Sequence, residues 1–178
     1  NIYVQLDDMP KAEKALEEIL QKYPDDESAN NDLGYIWADQ GKNLEQAEKM
    51  IRKAIEVYAA KREVGQPEQN AAYLDSLGWV LYKLGRPAEA RKYLEDAAKM
   101  DEGGTDGTIV DHLGDVLLRL KELAKAREMW LKAKEILEKA EGPRREEKRL
   151  KEINDKLKSL EEQKNGKGEI KRERSEPR

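Results

Sequence analysis

The sequence predicts an all-α protein built from repeated helical hairpins, and three observations support this prediction. A Leu-Gly pair recurs along the chain at Leu33-Gly34, Leu77-Gly78 and Leu113-Gly114. An alanine recurs at intervals of 35, 43 and 36 residues, at Ala12, Ala47, Ala90 and Ala126. Charged residues make up 40% of the 178 residues and hydrophobic residues 38%, which favours narrow apolar stripes on many exposed helices over one thick core.

Both recurring positions suit close packing between two helices. Glycine and alanine let paired helices approach, and a large apolar residue four positions after each alanine fills the space to the next hairpin. These large residues are Leu16, Ile51, Leu94 and Trp130. The intervals fit a unit of about 34 residues with insertions in its loops, a length typical of stacked helical hairpins.

The predicted elements form an array over residues 1–140. It begins with a partial repeat that contains the end of one helix and a complete second helix. The array is divided into the partial repeat 1–25 and the hairpins 26–60, 70–104 and 106–140. Asn43 and Gln46 have the spacing of a capping box, which predicts that a second helix starts there.

A final helix is predicted over residues 143–163, after the helix-breaking Gly142-Pro143 pair. Its apolar residues recur at helical spacing, at Leu150, Ile153, Leu157 and Leu160. We expect this helix to cap the array, because the open end of a stack of repeats needs a cover with a polar outer face. The alternative is a coiled-coil segment for dimerisation. Residues 164–178 have almost no apolar side chain and are predicted to be a disordered basic tail.

The composition gives no support to catalysis or to metal binding. The chain has no cysteine, which excludes disulfides and thiolate metal sites, and His112 is its only histidine. We expect His112 to be a partly buried helix residue. We therefore predict a protein that is not an enzyme and that has no cofactor.

The charge distribution argues against nucleic-acid binding. Residues 1–142 carry a net charge of −8, which repels phosphate, and residues 143–178 carry +4. No apolar run is long enough to span a bilayer. The first residues do not have the pattern of a signal peptide, and we expect the chain to be a segment of a longer protein. A parent with a signal or lipoprotein N-terminus would place it in the periplasm, and a parent without one in the cytoplasm.

The hairpin pattern resembles the tetratricopeptide repeat over roughly residues 2–140. In that family, Leu-Gly and a large residue mark the first helix, and alanines mark the second. The resemblance implies a right-handed superhelical α-solenoid of about three and a half repeats, whose function is to bind other proteins.

The resemblance also implies a binding site, because the first helices of this family line a concave groove. The matching groove positions are Asn31, Tyr35 and Asp39 in one repeat, Asp75, Trp79, Tyr82 and Lys83 in the next, and Asp111, Asp115, Leu118 and Arg119 in the last. Aromatic residues such as Trp79 and Tyr82 dominate interface hot spots, although packing between neighbouring first helices is the alternative role for Tyr35 and Trp79. The four aspartates predict a partner segment that is apolar or basic.

Two further functions follow from the sequence as alternatives. The stretch from Ala72 to Arg86 is similar to C-terminal repeats of bacterial tetratricopeptide proteins, some of which are envelope adaptors that scaffold a protease or an assembly complex. A self-association module is the other alternative, because the partial first repeat exposes an apolar face around Leu16, Ile19 and Leu20.

Overall fold

The computed structural model describes residues 8–101, 103–140 and 144–173, and these residues form helices joined by turns, without a strand. The helices are α1 (Met9–Lys22), α2 (Glu27–Gln40), α3 (Leu44–Lys61), α4 (Ala71–Lys83), α5 (Pro87–Lys99), α6 (Gly107–Arg119), α7 (Leu123–Lys139) and α8 (Arg144–Glu173). A single 3-10 turn at Gly103–Thr105 precedes α6. None of the described helices is long and apolar enough to cross a membrane.

The helices pair in the order that the sequence predicts. The hairpins α2–α3, α4–α5 and α6–α7 match the three complete repeats, and α1 is the second helix of the partial repeat. The expected end of a preceding helix falls on residues 1–7, which lie outside the described residues. On α1, Leu16 is buried, Leu20 is half-buried and Ile19 is 40% exposed, so the apolar face expected there is only partly open.

Each first helix begins at a side chain that caps it. Asp26, Asn70 and Asp106 accept hydrogen bonds from backbone N–H groups in the first turns of α2, α4 and α6. These groups have no partner inside the helix, so a capping oxygen stabilises the start. The predicted capping box at Asn43 is wrong: Asn43 lies in left-handed backbone, with φ of 50°, and its side chain makes no capping bond.

The glycine of each Leu-Gly pair permits close contact with the second helix of its hairpin. A Cβ added to Gly78 would lie 2.5 Å from Cγ of Leu94, and one added to Gly114 would lie 2.5 Å from Cδ1 of Trp130. Both distances are shorter than any real contact. The recurring Leu-Gly pair is therefore a packing requirement.

Four ion pairs join successive repeats, and together we call them the ion-pair ladder. In each of them, the residue that follows the recurring alanine meets a charged residue of the next unit. The pairs are Glu13–Lys42 (2.6 Å), Glu48–Arg86 (2.7 Å), Arg91–Glu122 (2.6 Å) and Arg127–Glu161 (3.4 Å). Glu161 belongs to α8, so α8 takes the place that the first helix of a further repeat would occupy.

Helix α8 caps the last repeat, as predicted. Ile153, Leu157 and Leu160 are buried in the same core as the hairpins α4–α5 and α6–α7. Because this apolar seam is buried within one chain, the coiled-coil alternative is wrong.

The last helix is longer than the sequence predicts. It continues to Glu173, whereas we expected a disordered tail from residue 164. Six of the ten residues from 164 to 173 are Lys, Glu or Arg, whose helix propensity is good, so they extend a helix that is already formed despite Gly166 and Gly168. Residues 174–178, the rest of the predicted tail, lie outside the described residues.

Candidate partner-binding groove

The first helices α2, α4 and α6 lie side by side, and the face that carries the predicted site residues is here called the groove. Its residues differ widely in exposure. Asn31, Asp75, Trp79 and Asp111 are buried, Tyr35, Tyr82, Lys83 and Asp115 are half-buried, and Asp39, Leu118 and Arg119 are exposed. The predicted set is therefore brought to one face, but only part of it is open to a partner.

Trp79 is a packing residue at the centre of the groove. It is 7% exposed, and its ring stacks on His112 at 3.9 Å and on Tyr82 at 5.2 Å between centroids. Its indole N–H donates to Asp39, and the Lys83 ammonium lies 4.8 Å from the ring centroid. Contacts on so many sides favour the packing role that the sequence gave as the alternative for Trp79.

His112 is buried more deeply than the sequence suggested. It is 1% exposed, where we expected partial burial, and its Nδ1 lies 2.9 Å from Oδ1 of Asp75. Asp75 is itself buried, so the two side chains satisfy each other's hydrogen-bonding groups. This pair ties α4 to α6. Sequence reasoning missed the contact because its two members are 37 residues apart.

The C-terminal helix α8 supplies two cations to the groove that the sequence did not indicate. Lys156 donates to Asp111 at 2.7 Å and to Asp115 at 2.9 Å. Arg149 donates to Asp111 at 3.1 Å. The carboxylates of Asp111 and Asp115, both predicted to contact a partner, are thus paired within the chain.

This network shifts the pKa values of its members. Burial raises the pKa of Asp115, although the Lys156 ammonium acts against that shift. For Lys156, burial disfavours the charge, but Asp115 and Asp111 outweigh it and raise the pKa. Burial also disfavours the charge of Arg149, but Tyr35 and Asp111 outweigh this effect and raise the pKa of Arg149. Both cations are therefore charged at neutral pH.

The part of the groove between α2 and α4 remains open. A cavity of about 510 Å³ opens beside these two helices, and the start of α6, the end of α7 and Arg149 complete its lining. Its polar lining includes Asn31, Asp32, Tyr35, Asp75, Ser76, Asp106 and Arg149. Asp32 and Ser76 were not predicted as site residues, although each directly follows a predicted one.

A second cavity of about 460 Å³ lies between α6 and α8. Leu118, Lys156 and Leu160 contribute to its lining. Nearby, burial raises the pKa of Tyr82, so its hydroxyl keeps its proton at neutral pH and can donate a hydrogen bond.

Three family models of the tetratricopeptide repeat match the chain, over residues 1–26, 25–103 and 76–139. Together with the stacked hairpins and their Leu-Gly and alanine positions, these matches define the class. The chain belongs to the tetratricopeptide repeat family, a class of stacked helix-turn-helix repeats.

Among known proteins, the chain is similar to the TPR repeat-containing protein PA4667 of Pseudomonas aeruginosa. The two are 32% identical over 108 residues, which are 61% of this chain and 16% of that protein. The chain therefore corresponds to a small part of that relative's length.

Solved structures share the fold. The type III secretion translocator chaperone SycD of Yersinia enterocolitica is 17% identical with a TM-score of 0.61, covering 78% of this chain and 93% of its own. PcrH of Pseudomonas aeruginosa, in complex with the chaperone binding region of PopD, is 18% identical with a TM-score of 0.60, covering 83% and 95%. YrrB, a TPR protein with an unusual peptide-binding site, is 21% identical with a TM-score of 0.52, covering 76% and 64%.

Proposed function

We propose that this chain is a non-catalytic scaffold that binds a segment of a partner protein in the groove between its first helices. The observation that carries the proposal is the contrast within that groove. The residues at α6 are paired with α8, whereas the cavity between α2 and α4 is open and lined by polar side chains. An open concave site with a few converging polar groups is the usual form of a binding site.

The residue types around the opening support the same function. Tyr35 lines the cavity and is half-buried, and Tyr82 is half-buried one helix further along. A tyrosine in such a position buries a large rigid ring against a partner and still offers its hydroxyl for a hydrogen bond.

Two structural relatives support the proposal, because one is solved with a bound segment of another protein and the other is described as having a peptide-binding site. PcrH has been solved with the chaperone binding regions of PopD and of PopB, and YrrB is described as having a peptide-binding site. Because their identity to this chain is low, they support the mode of action and do not indicate the partner.

Photo-crosslinking tests the proposal directly. A benzophenone amino acid is placed at Tyr82 in the groove or, as the matched control, at Tyr93, a half-buried tyrosine on the second helix of the same repeat. We expect irradiation of cells of the source organism to join a partner protein to the Tyr82 variant and not to the Tyr93 variant. Equal yields, or adducts at Tyr93 alone, would contradict the groove assignment.

If the chain is a bacterial envelope adaptor, the crosslinked partner will be an envelope protease or an assembly protein. Mass spectrometry of the same adduct identifies it. This experiment therefore separates the specific adaptor role from the general scaffold function.

Self-association is the second candidate function, and a surface on α1 favours it. Ile19 on α1 is 40% exposed and Tyr23, the residue that directly follows α1, is 65% exposed, which gives a second copy of the chain some apolar surface to contact. Light scattering over a range of concentrations tests this, with Ile19→Lys as the variant. A mass that stays monomeric throughout would remove this candidate.

A further inference from the structure

One repeat position is satisfied in two helices and left unsatisfied in the third. It lies three residues before the glycine of each first helix and is occupied by Asn31, Asp75 and Asp111. Asp75 receives a hydrogen bond across the groove from His112, and Asp111 receives two from α8. Asn31 is only 6% exposed, yet its side-chain oxygen has no hydrogen-bond partner.

The unsatisfied oxygen follows from the residue on the next helix. Ser76 holds the repeat position in α4 that His112 holds in α6. Its hydroxyl is too short to cross the groove and donates to the Ala72 carbonyl of its own helix at 2.9 Å. A buried polar atom without a partner costs about 1–3 kcal/mol. A donor from a bound molecule would therefore gain a hydrogen bond to the Asn31 oxygen and remove this cost.

The neighbouring carboxylate makes a positively charged donor the best fit. Asp32 lines the same cavity and accepts one long hydrogen bond, at 3.3 Å, from the Asn31 amide. No cation of the described chain lies within salt-bridge distance of Asp32, and burial raises its pKa. Asp75 and Asp106 add carboxylates to the lining, and Arg149, the one cation among the described residues that line the cavity, is already paired with Asp111.

We propose that this cavity binds a lysine or arginine side chain of the partner segment, paired with Asp32 and donating to the side-chain oxygen of Asn31. This inference rests on the proposed function, namely that the groove binds a partner segment. A turn of the Asn31 amide about its Cβ–Cγ bond, a soft rotation, brings the oxygen to the cavity. The bound cation then donates to the residue at this repeat position on α2. His112 and Lys156 bond in the same way to the equivalent residues on α4 and α6.

The test begins with a random dodecapeptide library displayed on phage and selected against the whole chain. We expect the selected peptides to share a lysine or arginine at one position. Replacing that residue in the peptide by norleucine, which removes the charge but retains the length, should weaken binding by about tenfold or more in fluorescence anisotropy.

A double-mutant cycle assigns the contact to this cavity. Asp32→Asn should also weaken binding by about tenfold, and it should abolish the further effect of norleucine, because both changes remove the same ion pair. Asn31→Leu is a second variant with the same expectation. The control is Asp96→Asn, which changes a half-buried aspartate on α5 that pairs with Lys99, and it should leave binding unchanged. Melting curves verify that each variant folds.

The outcomes separate the two proposals. Peptides that crosslink to the groove without a basic preference, or with additive losses in the cycle, would overturn the cation site and leave the scaffold function standing. A selection that enriches no peptide at all would contradict the scaffold function and the cation site with it.

Discussion

The junction between α2 and α4 and the junctions that join α4, α6 and α8 use one repeat position in opposite ways. In the C-terminal half, the buried aspartates at this position are hydrogen-bonded to His112, Arg149 and Lys156, and these bonds fix the helices to one another. In the N-terminal half, Asn31 and Asp32 line an open cavity, and no basic side chain of the described residues is hydrogen-bonded to either of them. From this difference we infer that a single fold can use the same repeat position for stability in one place and, as proposed above, for binding in another.

The largest expected effect comes from Asp111, the most heavily bonded of the three equivalent residues. Asp111→Ala leaves Arg149 without its carboxylate in a largely buried site and should lower the free energy of unfolding by about 3–5 kcal/mol. Asn31→Ala, at the same repeat position, should change it by no more than about 1 kcal/mol, since it also removes an unsatisfied oxygen. Urea unfolding followed by far-UV circular dichroism measures both. Equal losses would break the comparison.

A smaller effect is expected at the next pair of equivalent residues. His112→Ala deprives the Asp75 carboxylate of its partner and the Trp79 ring of its stacking neighbour, so it should destabilise by about 2–4 kcal/mol. Ser76→Ala, the matched control, removes only a hydrogen bond within its own helix and should cost about 1 kcal/mol or less. Near-UV circular dichroism should report the loss of the Trp79–His112 stack in the first variant alone.

The smallest effects should come from the ion-pair ladder, which runs through both halves alike. Glu48→Gln and Arg91→Gln should each cost only about 0.2–1 kcal/mol, because the paired side chains are partly exposed and water and salt screen them. A loss of similar size in the two variants, reduced by added salt, would show that the halves differ in the groove and not along the second helices. A large loss in one variant alone would place part of the difference outside the groove.

The array of hairpins could be predicted from the sequence because the contacts that form it are local. Gly78 must be small since Leu94 of the same hairpin touches it, and both residues recur with the repeat. The capping helix was predictable for a similar reason, as Ile153 and Leu157 mark one face that must be buried.

The sequence could not predict which groove side chains are open and which are paired within the chain, because this depends on contacts between residues that are distant in sequence. Lys156 and Asp111 are 45 residues apart, and in a chain with 40% charged residues many other pairings are equally compatible with the sequence. The family pattern predicted Trp79 as a groove residue, and its contact with a partner stays a prediction. The pattern does not distinguish a Trp79 ring that is open to a partner from one that is stacked between His112 and Tyr82.

The signs of the ion-pair ladder constrain how such an array can grow. A tandem copy of repeat 26–60 would set Glu48 opposite a second Lys42, and a copy of repeat 106–140 would set Arg127 opposite a second Glu122, so both insertions keep opposite charges in contact. A copy of repeat 70–104 would bring Arg91 against Arg86. That repeat carries a positive charge at both of its ladder positions, so the acidic and basic partners exchange sides across it. A gene that duplicated it would place two arginines in contact at the new junction.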